Sequence, residues 1–131
     1  VEIGGGYGGL CFYLHSLAPL FNITIVSYTI FDLPDICTLQ LKYTEALGIS
    51  VSTHTLDSAW DVNPNSFLVS TYAFSELPAE LRSAYSEKVL SNVFHGFIAW
   101  NNIPLYDFVN TTIKSEPERP LTGPNNLFVW F

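Results

Sequence analysis

An α/β fold is predicted by this sequence, a mostly parallel sheet with helices on both faces and an antiparallel addition at its end. Three observations carry that prediction. Short β-branched and aromatic runs alternate with segments whose apolar residues recur at helical spacing. The first run meets the first helix through Gly4-Gly5-Gly6-Tyr7-Gly8-Gly9, a bend with almost no side chains. The last two runs have no helix between them, which calls for a hairpin-like antiparallel pair.

Each element has its own warrant. Val1 to Ile3 reads as the end of a buried strand. Leu10 to Leu20 reads as a helix, apolar almost all round at Leu10, Phe12, Tyr13, Leu14 and Leu17, and therefore well buried; Pro19 and Asn22 end it. Ile23 to Phe31 is β-branched and aromatic, a second strand stopping at Asp32. Pro34 suits the first position of the next helix and Asp35 its positive end. Ile36, Leu39, Tyr43 and Leu47 then mark its apolar face, and Gly48 terminates it. Ser50 to Leu56 alternates as a third strand, and Asp57 to Asn65 is a polar loop turning at Asn63-Pro64-Asn65. Ser66 to Tyr72 is a fourth strand, and Pro78 to Val93 a helix with Leu81, Ala84, Tyr85, Val89 and Val93 on one face. Phe97 to Trp100 is a fifth strand, Leu105 to Asn110 a short helix, and Thr112 to Glu116 and Leu127 to Phe131 the final pair, joined by a proline-rich loop.

The bulk numbers exclude several functions. With 131 residues the chain supports a single domain, 1–131. It contains no methionine and opens in mid-strand, so it reads as a segment of a longer protein. A net charge of −7, with five Lys and Arg scattered along the chain, leaves no basic stripe for nucleic acid or an anionic membrane. No apolar stretch reaches membrane-spanning length. Cys11 and Cys37, each inside a predicted helix, read as buried thiols in a reducing, cytoplasmic compartment. Nothing in the sequence sets an oligomeric state.

Ligands of open α/β sheets lie beyond the carboxyl ends of the strands, so the residues following each strand are the candidates. After the first strand come the glycines. Gly4-x-Gly6-x-x-Gly9 matches a dinucleotide fingerprint, and Glu2-x-Gly4-x-Gly6-x-Gly8 overlays it. Glycine lets backbone N–H groups approach a ligand at a helix N-terminus. The Glu2 carboxylate favours a cationic ligand such as S-adenosylmethionine (SAM) over a pyrophosphate. Asp32, 23 residues beyond Gly9, follows the second strand; it suits ribose hydroxyls, and it also suits a helix cap. Asp57 and Ser58 follow the third strand, where a carboxylate either accepts from an adenine amino group or is an ordinary loop residue. Tyr72-Ala73-Phe74-Ser75-Glu76 follows the fourth, and Asn101 and Asn102 the fifth.

These stretches carry a family resemblance. Glu-x-Gly-Gly-Gly-Tyr-Gly-Gly, Tyr28-Thr29-Ile30-Phe31-Asp32-Leu33-Pro34, Tyr72-Ala73-Phe74-Ser75-Glu76-Leu77 and Pro120-Leu121-Thr122 resemble the sugar O-methyltransferases of the class I SAM-dependent group. Phe-Asp-Leu-Pro also resembles the second cofactor motif of plant small-molecule O-methyltransferases. The resemblance implies a Rossmann-like sheet of seven strands, order 3-2-1-4-5-7-6, the seventh antiparallel. It implies SAM as cofactor and a small-molecule or carbohydrate acceptor. Together with strand-end position it gives the expected cofactor set: Glu2, Gly4, Gly5, Gly6, Tyr7, Gly8, Asp32, Leu33, Asp57, Ser58 and Tyr72. Little or no helix fits between the third and fourth strands, a departure from the family. The catalytic His that plant enzymes carry after the fourth strand is also missing.

A hydroxyl acceptor needs a base, and Glu76 is the candidate, although a first-turn helix Glu is its plain structural role. No His, Cys or Asp spacing matches a metal site. Ser70-Thr71-Tyr72-Ala73-Phe74 differs from the Asn/Asp-Pro-Pro-Tyr/Phe of amino-group methyltransferases. Two further readings stay open at this point: a nicotinamide-dependent oxidoreductase built on Gly4, Gly6, Gly9 and Asp32, and a non-catalytic module of the same fold.

Overall fold

A computed structural model describes residues 1–59, 61–109 and 111–131. The strands run β1 (Glu2–Ile3), β2 (Thr29–Phe31), β3 (Ser52–His54), β4 (Phe67–Thr71), β5 (His95–Trp100), β6 (Lys114–Pro117) and β7 (Leu127–Trp130). The α-helices are α1 (Gly9–Leu17), α2 (Pro34–Ala46), α3 (Ala73–Glu76) and α4 (Ala79–Lys88). The seven strands form a sheet in the order β3-β2-β1-β4-β5-β7-β6, as the resemblance implied. The chain divides into two compact units, Val1–Ala59 and Trp60–Phe131.

In the first unit β1 pairs parallel with β2, Glu2 opposite Ile30, and β2 parallel with β3, Phe31 opposite His54. Cys11, Tyr28 and Ile30 are buried together, with Ile25, Ile49 and Val51 packed around them. Three expectations fail here. The second strand is only Thr29–Phe31, because the segment before it is irregular and Val26 is 92% exposed. Helix α1 buries Gly9 and Cys11 while Tyr13, Leu14 and Leu17 lie at the surface. Helix α2 buries Cys37, Gln40 and Thr44, and Leu39 and Leu47 face outward. Helix α2 lies close against the glycine bend on that face: a Cβ at Gly8 would come within 3.4 Å of Thr44, and Gln40 reaches Gly6 O at 2.9 Å. Helix limits are better anticipated. Pro34 opens α2, Gly48 follows its end at φ 70°, and Asn22 closes a 3₁₀ turn, Ala18–Phe21, at φ 56°.

In the second unit β4 and β5 are parallel, and β7 runs antiparallel to both β5 and β6. The predicted hairpin-like ending is therefore present. Its core holds Leu68, Phe74, Val89, Leu90, Ile98, Trp100 and Val129, each at most 1% exposed. Trp100 stacks on Phe108 with centroids 5.4 Å apart and meets Phe74 edge-on at 6.2 Å. Such ring pairs contribute about 0.5–1.5 kcal/mol each beyond the area they bury. The expected helix 78–93 is shorter, α4 plus a 3₁₀ turn at Leu90–Asn92, with Tyr85, Val89 and Val93 buried and Leu81 exposed. The expected helix Leu105–Asn110 does not form over 105–109; that stretch is irregular and anchors Phe108 in the core, while Asn110 lies outside the described residues. Trp60, which falls within the expected loop Asp57 to Asn65, also lies outside them.

Candidate functional site

The glycine bend starts where β1 ends. Gly4 N–H donates to Phe31 O at 2.9 Å, which continues the ladder one step past the strand, and Gly8 N–H donates to Gly5 O at 2.9 Å, which closes the turn. Gly4, Gly6 and Gly8 have φ of 72°, 55° and 99°, and Gly8 is the N-cap of α1. Left-handed backbone at Gly6 and Gly8 is the physical reason for glycine there. Space is the reason at Gly5, where a Cβ would come within 2.7 Å of Ile30 Cγ2 and 3.1 Å of Glu2 Oε2. At Gly6 a Cβ would meet nothing within 4 Å. The bend is packed on its Gly5 side and open at Gly6.

Glu2 lies beneath this bend, 1% exposed. Its Oε2 accepts from the Tyr28 hydroxyl at 2.9 Å, and its Oε1 is buried without a hydrogen-bond partner. Burial pushes its carboxyl up to about 7, partly opposed by the Tyr28 bond. Tyr28 is raised in turn, by burial and by the Glu2 charge. Tyr7 is 55% exposed, edge-on to Tyr43 at 5.1 Å, with its ring where a Gly9 side chain would go.

Asp32 follows β2, its N–H bonded to His54 O at 3.0 Å. Oδ1 accepts from Leu33 N–H at 2.9 Å, and Oδ2 from Gln40 Nε2 at 2.8 Å. Gln40 Nε2 also donates to Gly6 O at 2.9 Å, so one α2 side chain joins the bend to the carboxylate. Leu33 is the N-cap of α2 and 65% exposed. Ser58 closes its own turn, its Oγ accepting from Thr55 N–H at 3.1 Å, and Asp57 is exposed beside it. Gln40 was not anticipated; the available signal was its place between Cys37 and Thr44 on a helix face of small residues.

In the second unit Tyr72 follows β4 with φ 65° and ψ −32°, strained backbone for a residue with a side chain. Such conformations cost roughly 1–3 kcal/mol and persist where surrounding contacts hold them. Tyr72 N–H donates to Ala99 O at 2.8 Å, and its carbonyl accepts from Ser75 Oγ at 2.7 Å. Its hydroxyl donates to Glu118 Oε1 and lies 3.0 Å from Thr122 Oγ1. Glu118 is 3% exposed and also accepts from Thr122 N–H at 2.8 Å, Thr122 Oγ1 at 2.7 Å and Asn126 Nδ2 at 3.2 Å. The Tyr72 hydroxyl first, and then these donors, hold the Glu118 carboxyl down at about 2. The same carboxylate raises the Tyr72 phenol. Two of the recognised stretches, around Tyr72 and around Thr122, thus meet through Glu118 and Asn126, which sequence reasoning did not single out.

Glu76 accepts from Asn101 Nδ2, and Asn101 N–H is bonded to Ser75 Oγ at 3.2 Å. Tyr72, Glu76, Asn101, Asn102, Thr122 and Asn126 line an open pocket of about 440 Å³. Its lining offers three amides, a carboxylate and two hydroxyls. Among the described residues no group of three His, Cys, Asp or Glu could hold a metal ion, and no helix is long and apolar enough to cross a membrane.

No protein-family model matches the sequence, and no curated protein is similar to it. Solved structures do match. One, from work on conversion of a disulfide bond into a thioacetal group during echinomycin biosynthesis, covers 98% of this chain and 72% of its own, with a TM-score of 0.62 at 12% identity. LepI in complex with SAM covers 75% of this chain and 25% of its own, at TM-score 0.57 and 18% identity. OxaC in complex with sinefungin and meleagrin covers 74% and 26%, at 0.59 and 16%. This chain thus spans about a quarter of the LepI and OxaC chains. Likeness at these identities is likeness of fold, and the fold is the Rossmann-like one of class I SAM-dependent methyltransferases.

Proposed function

We propose that this chain is the SAM-binding core of an O-methyltransferase that acts on a hydroxyl of a small molecule or sugar. The observation that carries the reading is the bend at Gly4 to Gly8, open at Gly6, with Asp32 fixed beside it through Gln40. These residues fit the cofactor. The bend offers bare backbone, Asp32 keeps acceptor capacity for ribose hydroxyls, and buried Glu2 has an oxygen that accepts nothing from the protein. Glu2 adds negative potential for a cationic ligand, and more of it as pH rises through about 7. When bound, SAM supplies an electrophilic methyl group. The backbone of Gly4, Gly5, Gly6, Tyr7 and Gly8 would hold it with Asp32 and Leu33, and Asp57 and Ser58 would serve its adenine.

The pocket lined by Tyr72, Glu76, Asn101 and Thr122 would take the acceptor, since its polar lining suits a hydroxyl-bearing molecule. Glu76, held by Asn101, would accept the hydroxyl proton. Glu118 is occupied by four donor contacts and stays ionised, which makes it a clamp rather than a proton carrier. The resemblance to sugar O-methyltransferases and the neighbours solved with SAM and with sinefungin support the reading. The two free, buried thiols agree with a reducing cytoplasmic setting.

Calorimetric titration of the protein with SAM and with NAD tests it. SAM binds and NAD does not. Asp32→Ala weakens SAM roughly 10- to 100-fold, the scale of one or two lost charge-assisted hydrogen bonds. NAD uptake in place of SAM, or full SAM affinity in Asp32→Ala, overturns the assignment.

A further inference from the structure

We infer that Gln40 is a positioning residue for the cofactor, setting the spacing between the glycine bend and the ribose-facing carboxylate. This rests on the function proposed above and adds a residue to it. Gln40 Nε2 donates to Gly6 O at 2.9 Å and to Asp32 Oδ2 at 2.8 Å, and the side chain is fully buried. Its orientation is decided by those partners. Turning the amide over would set Oε1 against a carbonyl and a carboxylate, acceptor against acceptor. Oε1 is itself buried and unpartnered, so this amide sits in the interior at a cost that Leu or Met at the same place would avoid. What the Gln supplies is the tie.

The tie acts on both ends. Asp32 is held through both oxygens, by Leu33 N–H and by Gln40, which fixes its rotamer and leaves lone pairs for a ligand. At the other end the Gly6 carbonyl is pulled toward α2. In a trans peptide the Gly6 carbonyl and the Tyr7 N–H point opposite ways from one plane, so the same bond directs the Tyr7 N–H away from the helix. Gln40 therefore aims one donor of the bend while holding the acceptor that faces the ribose.

Gln40→Leu and Gln40→Glu, each compared with wild type at about pH 5 and pH 8, separate this role from simple packing. Titration with SAM reads the site, and the melting temperature of ligand-free protein reads the tie itself. Asp32 just beyond β2 and Glu2 on β1, which senses the Asp32 charge, are the carboxylates nearby, so each variant is compared with wild type at the same pH. Gln40→Leu binds SAM about tenfold more weakly at both pH values, a change of about 1.4 kcal/mol. Gln40→Glu is impaired more at pH 8, where the introduced carboxyl is ionised against Asp32, than at pH 5, where its proton restores one donor. Its melting temperature relative to wild type falls in the same direction. SAM affinities within twofold of wild type in both variants, or a deficit of Gln40→Glu that is equal at the two pH values, overturn the role. If wild type takes up no SAM, the proposed function fails by itself. The tie is then judged on the melting temperatures, where a pH-independent difference for Gln40→Glu overturns it.

Discussion

The bend of the first unit and the Tyr72 cluster of the second are built by opposite means. The bend is backbone, shaped by glycines and pinned by the Gln40 side chain. The Tyr72 cluster is side chain on side chain, with Tyr72 and Glu118 meeting across 46 positions of sequence. The first offers a surface that any side chain would obstruct. The second holds a strained backbone in place by giving one carboxylate several donors. The comparison teaches that a backbone-built site fails by substitution, and a network-built one by loss of charge.

The largest expected contrast lies within the bend. Gly5→Ala drives a methyl against Ile30 and the Glu2 carboxylate, an overpacking that costs about 1–3 kcal/mol and lowers the melting temperature by several degrees. Gly6→Ala meets no atom and costs only the left-handed strain, roughly 1–2 kcal/mol, but its methyl enters the open space, and SAM affinity falls at least about tenfold. Paired thermal melts and calorimetry check this. Equal loss of binding in both variants would remove the distinction between a packed and an open side.

Next comes acid stability in the Tyr72 cluster. Glu118 is depressed to about 2 from 4.5, so the unfolded chain binds its proton first as pH falls. Its stabilisation is complete above pH 4.5 and is lost on the way down to 2. Glu118→Gln has a lower melting temperature than wild type at pH 7 and a shallower fall across that acid window. An unchanged acid slope would mean that this carboxylate is not the clamp.

The smallest effect has the opposite sign. Glu2 is raised from 4.5 to about 7, so the folded protein holds the proton more tightly. Its contribution is greatest below 4.5 and declines as pH rises through 7. Glu2→Gln flattens the dependence of melting temperature on pH over that interval, and a scan from about pH 4 to pH 8 reads it directly. A slope identical to wild type would place Glu2 in a wetter environment than the fold gives it.

Sequence reasoning reached the strand alternation, the antiparallel ending and the glycine bend, along with Pro34, Asn22 and Gly48 as helix punctuation. Each of these is a local demand: a φ that only glycine tolerates well, a missing N–H at a helix start, a run of β-branched residues. It went wrong on the buried faces of α1 and α2. Counting apolar residues selected Leu39 and Leu47, whereas close approach to the bend selected Cys37, Gln40 and Thr44. It also extended a helix over 105–109, where Phe108 turns inward to stack on Trp100.

The order of types along the chain therefore settled which segments are strands, where the backbone must bend without side chains, and that the bend opens a helix. Those are consequences of bonded geometry and of neighbours a few positions apart. Which amide would brace the bend, which carboxylate would gather Tyr72, Thr122 and Asn126, and how far Glu2 would be drawn toward neutrality were decided only in three dimensions. Hydrogen bonding and desolvation depend on groups brought together across long stretches of chain, and no spacing in the sequence records them.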